Sequence, residues 1–294
     1  MFDGIFGCDI IHIKRLSEFL NLKVEYKANI VKRKGTRLPM ITGIFESHAH
    51  YDDPRFDEDR ETRLAEIFAG GVDTIMNIGA DIETSRNALA LAEQHPNIYC
   101  SVGVHPSDAP TVQSDYLEVL REMAKSPRVR AIGEIGLDYH YEGDNEAAQK
   151  RVFEEQLKLA MELNKPVIIH DRDAHADCME LLRKYTPRGV VHCFSGSAEM
   201  AQELVKLGFY IGFTGVVTFK NARRAVEAVA AIPLDRLLVE TDCPYMAPEP
   251  YRGQRCDSLM LEEIITKIAA VKGVAPQEIA KKTAENARKV FEIA

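Results

Sequence analysis

The stretch Met40-Ile41-Thr42-Gly43-Ile44-Phe45-Glu46-Ser47-His48-Ala49-His50-Tyr51-Asp52 sets an apolar run directly before two histidines two residues apart. The run from Met40 to Phe45, broken by Thr42 and Gly43, reads as a short buried strand. In a strand, residues two apart point to the same face. His48 and His50 therefore present two imidazoles side by side, which suits one metal ion better than two separate roles. Imidazole is the commonest neutral metal ligand and serves Zn, Mn, Fe or Ni alike. A lone His-x-His also arises by chance at strand ends. The weight therefore falls on what the later strands supply.

From residue 41 onward one pattern repeats: a short β-branched run, a loop, then an amphipathic helix. The apolar runs are 41–46, 72–78, 98–104, 129–134, 166–170, 189–194, 208–213 and 236–241. Helix-like segments lie between them, near 57–69, 81–94, 114–125, 146–163, 174–184, 197–207 and 221–230. In the segment 146–163, Phe153, Leu157, Ala160 and Met161 hold the i, i+4, i+7, i+8 spacing of one buried face. Two further helices, about 258–271 and 276–292, close the chain. Strands alternating with helices imply parallel pairing with right-handed crossovers. The expected fold is thus α/β, a (β/α)8 TIM barrel over residues 40–294 with extra C-terminal helices and an N-terminal extension. A doubly wound open sheet is the rival, but no Gly-x-Gly-x-x-Gly follows the first strand.

A chain of 294 residues is long enough for one such barrel, and its 46% hydrophobic, 28% charged composition is ordinary for a globular protein. The net charge of −8 argues against a protein that coats nucleic acid electrostatically. It does not exclude an enzyme acting on nucleic acid, because bound divalent ions reverse the local sign. The six cysteines (Cys8, Cys100, Cys178, Cys193, Cys243, Cys256) are scattered with no C-x-x-C pair, as expected in a reducing cytosol. Long uncharged stretches such as Leu207 to Phe219 fall short of the roughly 20 residues that span a bilayer. With no secretory signal evident, a cytoplasmic location with no membrane and no obligate protein partner is the expectation.

Residues 1–39 differ from the rest. Eight Lys/Arg (Lys14, Arg15, Lys23, Lys27, Lys32, Arg33, Lys34, Arg37) against four acids (Asp3, Asp9, Glu18, Glu25) give net +4 there, so the remainder carries −12. Ile10, Ile11, Ile13, Leu16, Phe19 and Leu20 would form one apolar helix face, followed by a charged linker. The segment reads as a disordered appendage or a start-site artefact, since Met40 stands just before the first strand. A basic arm that holds substrate is the alternative.

Active sites of barrels lie at the C-terminal ends of the strands, and there this chain places a series of ligand-type residues. Strand 1 ends in His48 and His50, strand 3 in His105, and strand 4 in Glu134 followed by Asp138. Strand 5 ends in His170-Asp171-Arg172-Asp173, strand 6 in His192-Cys193, and strand 8 in Glu240-Thr241-Asp242-Cys243. Four of these histidines with two of the carboxylates already exceed what one tetrahedral ion needs. A carboxylate bridging two divalent ions uses the whole set, and such pairs stabilise both the attacking and leaving oxygens of an in-line displacement.

The motifs Ser47-His48-Ala49-His50, Gly133-Glu134-Ile135-Gly136-Leu137-Asp138-Tyr139, Ile169-His170-Asp171-Arg172-Asp173-Ala174, His192-Cys193-Phe194-Ser195-Gly196 and Glu240-Thr241-Asp242-Cys243-Pro244-Tyr245 resemble those of the TatD family of metal-dependent deoxyribonucleases, in the amidohydrolase superfamily. The likeness runs in order from about Met40 to the C-terminus and includes Arg252-Gly253-Gln254-Arg255. Two positions depart from the family pattern: Glu46 stands where Asp is usual, and Ser107 where a second His often follows His105-Pro106.

The resemblance implies that His48, His50, Glu134 and Asp242 hold one ion and that Glu134, His170 and His192 hold the second. Glu134 would be the bridge and Asp242 the base taking a proton from the water or hydroxide nucleophile. It further implies hydrolysis of DNA phosphodiester bonds, from the 3′ end and on single strands. Zn, Mn and Mg all remain candidates for the ions. Arg172 offers a planar fork for a phosphate oxygen, with an ion pair to Asp171 or Asp173 as the bland alternative. His105, Arg252 and Arg255 are further candidates for holding substrate. His12, His95, His140 and His175 read as surface or loop residues, and Cys193 and Cys243 as packing residues, because neighbours in a strand face opposite ways. Two other functions stay open: a barrel hydrolase of amides, lactones or small phosphoesters, and a metal-dependent scaffold or binding protein.

Overall fold

The computed structural model describes residues 40–141 and 145–294; the expectations for residues 1–39 lie outside that range. Eight strands form one sheet in chain order: β1 Ile44–Ala49, β2 Val72–Ile78, β3 Ile98–Val102, β4 Val129–Asp138, β5 Val167–Arg172, β6 Gly189–Val191, β7 Tyr210–Phe213 and β8 Leu237–Val239. Each pairs in parallel with the next. The chain after β8 then returns beside β1. His50 N–H donates to Cys243 O at 2.8 Å and Asp242 N–H to His48 O at 2.9 Å, which brings the first and last strands together. The result is a (β/α)8 TIM barrel.

Helices α1 Arg60–Ala69, α2 Ile82–Gln94, α3 Tyr116–Met123, α4 Glu146–Glu162, α5 His175–Tyr185, α6 Ala198–Lys206 and α7 Arg223–Ala231 connect the strands; α8 Leu261–Lys272 and α9 Pro276–Phe291 end the chain. Several begin at residues that supply the acceptor that free N–H groups of a first turn require. Asp81 and Thr84 form a reciprocal capping box on α2, Asn145 accepts from Ala148 N–H on α4, and Ser197 from Met200 N–H on α6. Pro276 opens α9 at the position where its missing N–H costs nothing.

The apolar interior has two parts. The larger lies between strands and helices; the smaller fills the barrel with Phe45, Met76, Ile168, Val190 and Leu238. The C-terminal helix α9 stoppers that inner core through Val290 and Phe291, the latter ring stacked 6.1 Å from Phe45. On α4 the expected face is corrected at one residue. Phe153, Leu157 and Ala160 are buried, but Met161 is 52% exposed. Eight residues turn a helix about 800°, leaving Met161 about 80° off the Phe153 direction, beyond the stripe that contacts the sheet. Gln149 and Gln156 are buried in its stead. Gln156 bridges Val104 N–H and C=O at 2.8 and 3.0 Å, and Gln149 bridges those of Asp138 at 2.9 and 2.8 Å, so the polar groups at two strand ends are satisfied by one helix.

The strand limits depart from expectation at their C-terminal ends. β6 stops at Val191 and β8 at Val239, and regular strand geometry is interrupted just beyond them, where Cys193 and Asp242 have φ of +43° and +60°. Left-handed backbone at residues with a Cβ is uncommon and gathers at functional sites. β4 runs on to Asp138, and Gly136 is what lets it lie against β5. A Cβ there would meet His170 O at 1.9 Å, so only glycine brings these two strands together beside the histidine.

Candidate metal centre

At the C-terminal mouth of the barrel, side chains in or just beyond β1, β5 and β6 and in the turn after β8 converge on Glu134 of β4, which is 4% exposed. Its Oε2 lies 3.4 Å from His48 Nε2 and 4.0 Å from His50 Nε2. Those two nitrogens are 3.3 Å apart, and each is within 3.6 Å of Asp242 Oδ1. Glu134 Oε1 faces a different pair, His170 Nδ1 at 2.8 Å and His192 Nε2 at 2.6 Å, which are 3.2 Å from one another. Two nests of donors thus share one carboxylate, one oxygen to each.

The donor set fits divalent cations. Four ligands about 2.1 Å from a tetrahedral ion stand about 3.4 Å apart, close to the spacing of the His48, His50, Glu134 and Asp242 donor atoms. Imidazole nitrogens brought within 3.3 Å of one another, with carboxylates between, have their lone pairs converging on a common point. His48, His50 and Asp242 form one such group and Glu134, His170 and His192 another.

Electrostatics follow from burial and proximity. Burial alone would raise Glu134, but the charges of His192 and His48 and bonds from His170 and His192 hold it well below the carboxylate range. Asp242 is also lowered, its burial outweighed by His50 and the neighbouring histidines. Burial is the largest influence on His50 and works downward; Asp242 overcomes it and lifts the imidazole to about 9. His170 rises to about 10, as Asp138 and Glu134 outweigh its burial. His48, fully buried and stacked 3.9 Å from His192, falls to about 4, first through burial and then through that neighbour.

The structure gathers eight of the ten expected site residues. Arg172 and His105 line the same cavity of about 820 Å3 as His50, Glu134, His170, His192 and Asp242, and the buried His48 stands within 3.4 Å of Glu134 and His50. Arg172 makes neither of the ion pairs weighed for it: Asp171 binds His175 at 2.9 Å and Asp173 binds His140 at 2.8 Å. Its guanidinium instead stands 4.0 Å from Asp138 and over the Tyr141 ring at 5.4 Å. His105 Nδ1 bonds Ser107 Oγ at 2.7 Å, whose hydroxyl donates to Asp108, so Ser107 fixes the orientation of His105.

Arg252 and Arg255 lie away from the cavity. Arg255 clamps Asp59 through two bonds of 2.8 and 2.5 Å and stacks on Phe56, bracing the loop to α1. Arg252 rests on Phe219 at 4.1 Å. Cys243 is buried, as a packing residue would be, whereas Cys193 is half-buried and lines the cavity; both lie beyond strand ends, so strand alternation does not decide either. Cys243 is fully buried, and the Cys193 thiol meets Thr214 Oγ1 at 3.4 Å; burial pushes both thiols up. The five described cysteines are free.

Sequence reasoning gave no role to three carboxylates that support the ligands. Asp138 Oδ2 is 3.2 Å from His170 Nε2, on the side of the ring away from Glu134, while its Oδ1 accepts from His140 N–H. Glu240 lies 3.7 Å from His192 Nδ1 and accepts from Cys193 N–H and Ser47; burial lifts it to about 7. Glu46 accepts from His48 N–H, Thr241 and Ser258, tying β1 to the turn that carries Asp242. Carboxylates behind metal-type histidines set their tautomer and aim. The signal in the sequence was the acid itself at a strand end, without the face it would take.

The family model of TatD-related DNases matches residues 45–292 of this chain. The uncharacterized metal-dependent hydrolase YabD of Bacillus subtilis (strain 168) is 41% identical over 253 residues, covering 85% of this chain and 99% of that protein. The 3′-5′ ssDNA/RNA exonuclease TatD of Citrobacter rodentium (strain ICC168) is 35% identical over 258 residues, 85% of this chain and 98% of that one. The crystal structure of YJJV, a TatD homologue from Escherichia coli K12, superposes with a TM-score of 0.82 at 31% identity, covering 87% of this chain and 100% of that chain. No described helix is long and apolar enough to cross a membrane. Matched along nearly the whole barrel, and by relatives over nearly their whole length, the chain belongs to the TatD-related DNase family and is a metal-dependent hydrolase.

Proposed function

We propose that this hydrolase cleaves phosphodiester bonds of single-stranded nucleic acid, DNA in the first place, releasing nucleotides from the 3′ end. The observation that carries the proposal is the division of Glu134, whose Oε2 faces His48 and His50 while Oε1 faces His170 and His192. On this reading His48, His50, Asp242 and Glu134 hold one divalent cation, and Glu134, His170 and His192 the other. Such a pair lowers the pKa of a water towards neutrality and neutralises charge on a phosphoryl group. The chain does the rest. Asp242, ionised and open to the cavity, takes a proton from the attacking water. Arg172, 43% exposed at its side chain, offers its fork to a phosphate oxygen. The exonuclease name of the Citrobacter relative supports the choice of substrate.

The test incubates metal-reconstituted enzyme with 3′- and 5′-labelled single-stranded DNA and RNA, beside amide, lactone and phosphomonoester substrates. Stepwise loss from the 3′ end, with label-dependent product ladders, is the expected result. Turnover confined to the small-molecule panel would overturn the nuclease reading in favour of the amidohydrolase alternative.

A further inference from the structure

The cavity holds more than the ion cradle requires. Its volume of about 820 Å3 falls within the roughly 300–1,000 Å3 typical of pockets that enclose a whole small molecule. Besides the ion cradle and Arg172, its lining includes the apolar or aromatic side chains of Pro54, Val216, Tyr245 and Met246. A phosphoryl group alone has no use for an apolar wall.

Tyr245 is the organised part of that wall. It sits in the turn after β8, three residues past Asp242, and is 48% exposed. The Arg55 guanidinium covers one face of the ring at 4.1 Å. Asp53 holds both partners: it takes two bonds from Arg55, at 3.0 and 2.9 Å, and accepts the Tyr245 hydroxyl at 3.3 Å. The ring edge approaches His50, with centroids 6.5 Å apart and planes 79° apart. Loops after the first and last strands thus clamp one aromatic ring from behind and from its tip, next to the first group of ligands. A tyrosine kept only for packing would be buried; this one is braced and left half open to the cavity.

We propose that Tyr245 is a nucleobase-stacking platform that seats the base next to the scissile phosphate. The inference rests on the nuclease reading above and adds to it the residue that recognises the base. Stacking suits a substrate of any sequence, since every base has a π-face, and it requires an unpaired base. A base locked inside a duplex could not lie on the ring, so the platform also gives the preference for single strands a physical cause.

The test pairs a change in the protein with a change in the substrate. Full-length, metal-loaded wild type, Tyr245→Phe and Tyr245→Leu are assayed on single strands carrying either thymine or 5,6-dihydrothymine at each position near the 3′ end. Dihydrothymine keeps the hydrogen-bonding edge but has lost its flat aromatic face. Wild type should lose roughly 5- to 150-fold in kcat/KM at one position, the span of a single base–aromatic stack. Tyr245→Leu should show that loss already on thymine and little further loss on dihydrothymine, with metal content unchanged. Tyr245→Phe should stay within about threefold of wild type, because the ring does the stacking. Wild type indifferent to dihydrothymine at every position would overturn the platform while leaving the nuclease reading intact, and this arm needs no variant to fold. Independent, multiplying losses in Tyr245→Leu would overturn it as well. No cleavage of any single strand would overturn the nuclease reading, and the platform with it.

Discussion

Replacing Asp138 by Asn tests how the chain aims His170. The substitution preserves shape, so Gln149 can still bridge the backbone of residue 138 and the side-chain oxygen can still accept from His140 N–H. What disappears is a negative charge 3.2 Å from His170 Nε2. When Nδ1 gives its lone pair to a cation, positive charge develops across the ring, and the carboxylate opposes it. Two unit charges at that distance attract by about 1 kcal/mol in water and about 5 kcal/mol at an effective dielectric constant near 20. The charge on the ring is partial, so the loss should fall between these limits. Outer carboxylates behind metal-bound histidines are typically worth 10–100-fold in affinity, about 1.4–2.7 kcal/mol, which agrees. Competition against a calibrated chelator should therefore show one site weakened 10–100-fold in Asp138→Asn and the other unchanged. The metal-free variant should fold normally by circular dichroism. Equal affinities at both sites in wild type and Asp138→Asn would refute the role given to this carboxylate.

Arg172→Lys keeps the charge but loses the two-pronged fork; kcat/KM on single-stranded DNA should fall by about 1–3 kcal/mol of transition-state stabilisation with metal content unaltered, and wild-type kinetics would remove Arg172 from phosphate binding. Metal uptake should release protons, because His50 and His170 are raised to about 9 and about 10 in the metal-free protein and bind a cation only when neutral. At pH 7 both carry a proton that binding must expel, and His192 is raised as well, so calorimetry in buffers of different ionisation enthalpy should find at least two protons released. Apparent affinity should climb with pH until about 9–10, and uptake without proton release would contradict the ligand assignment. A chain starting at Met40 should fold and cleave DNA at a rate comparable with the full length, since the ligands and β1 lie beyond that residue. A large loss of activity at full metal occupancy would instead make residues 1–39 a substrate-binding arm.

Most of the barrel was legible because its signals are local. β2 begins and ends where the apolar run does, and α2 starts at the Asp81–Thr84 box. The readings fail where the chain leaves regular geometry to build the site. Residues 192–194 and 240–241 look like strand by composition, yet the regular strands end at Val191 and Val239, just before left-handed backbone at Cys193 and Asp242. Nothing in a Cys or Asp announces a positive φ as a glycine would. The six candidate ligands were legible because each stands at the end of an apolar run. Their supporting carboxylates were not, because an acid at a strand end reads the same whether it faces a cation itself or stands behind a histidine, and only the fold sets Asp138 beside His170 Nε2 and Glu240 beside His192 Nδ1. Arg252 and Arg255 show another limit. A loop arginine reads the same whether it waits for a phosphate or is held by Asp59, and only the fold brings residues 59 and 255 together.

The division of Glu134 between two sets of histidines is the central claim, and metal stoichiometry after gel filtration of wild type and Glu134→Gln tests it most directly. An amide cannot offer an anionic oxygen to each side, so wild type should retain two ions per chain while Glu134→Gln loses metal from both sites. Asp242→Asn, measured alongside, should keep its ions better, because His48, His50 and Glu134 remain, while cleavage falls by the roughly 10²–10⁴-fold of a missing base. Two ions retained by Glu134→Gln, with near-normal cleavage, would contradict the two-cation account.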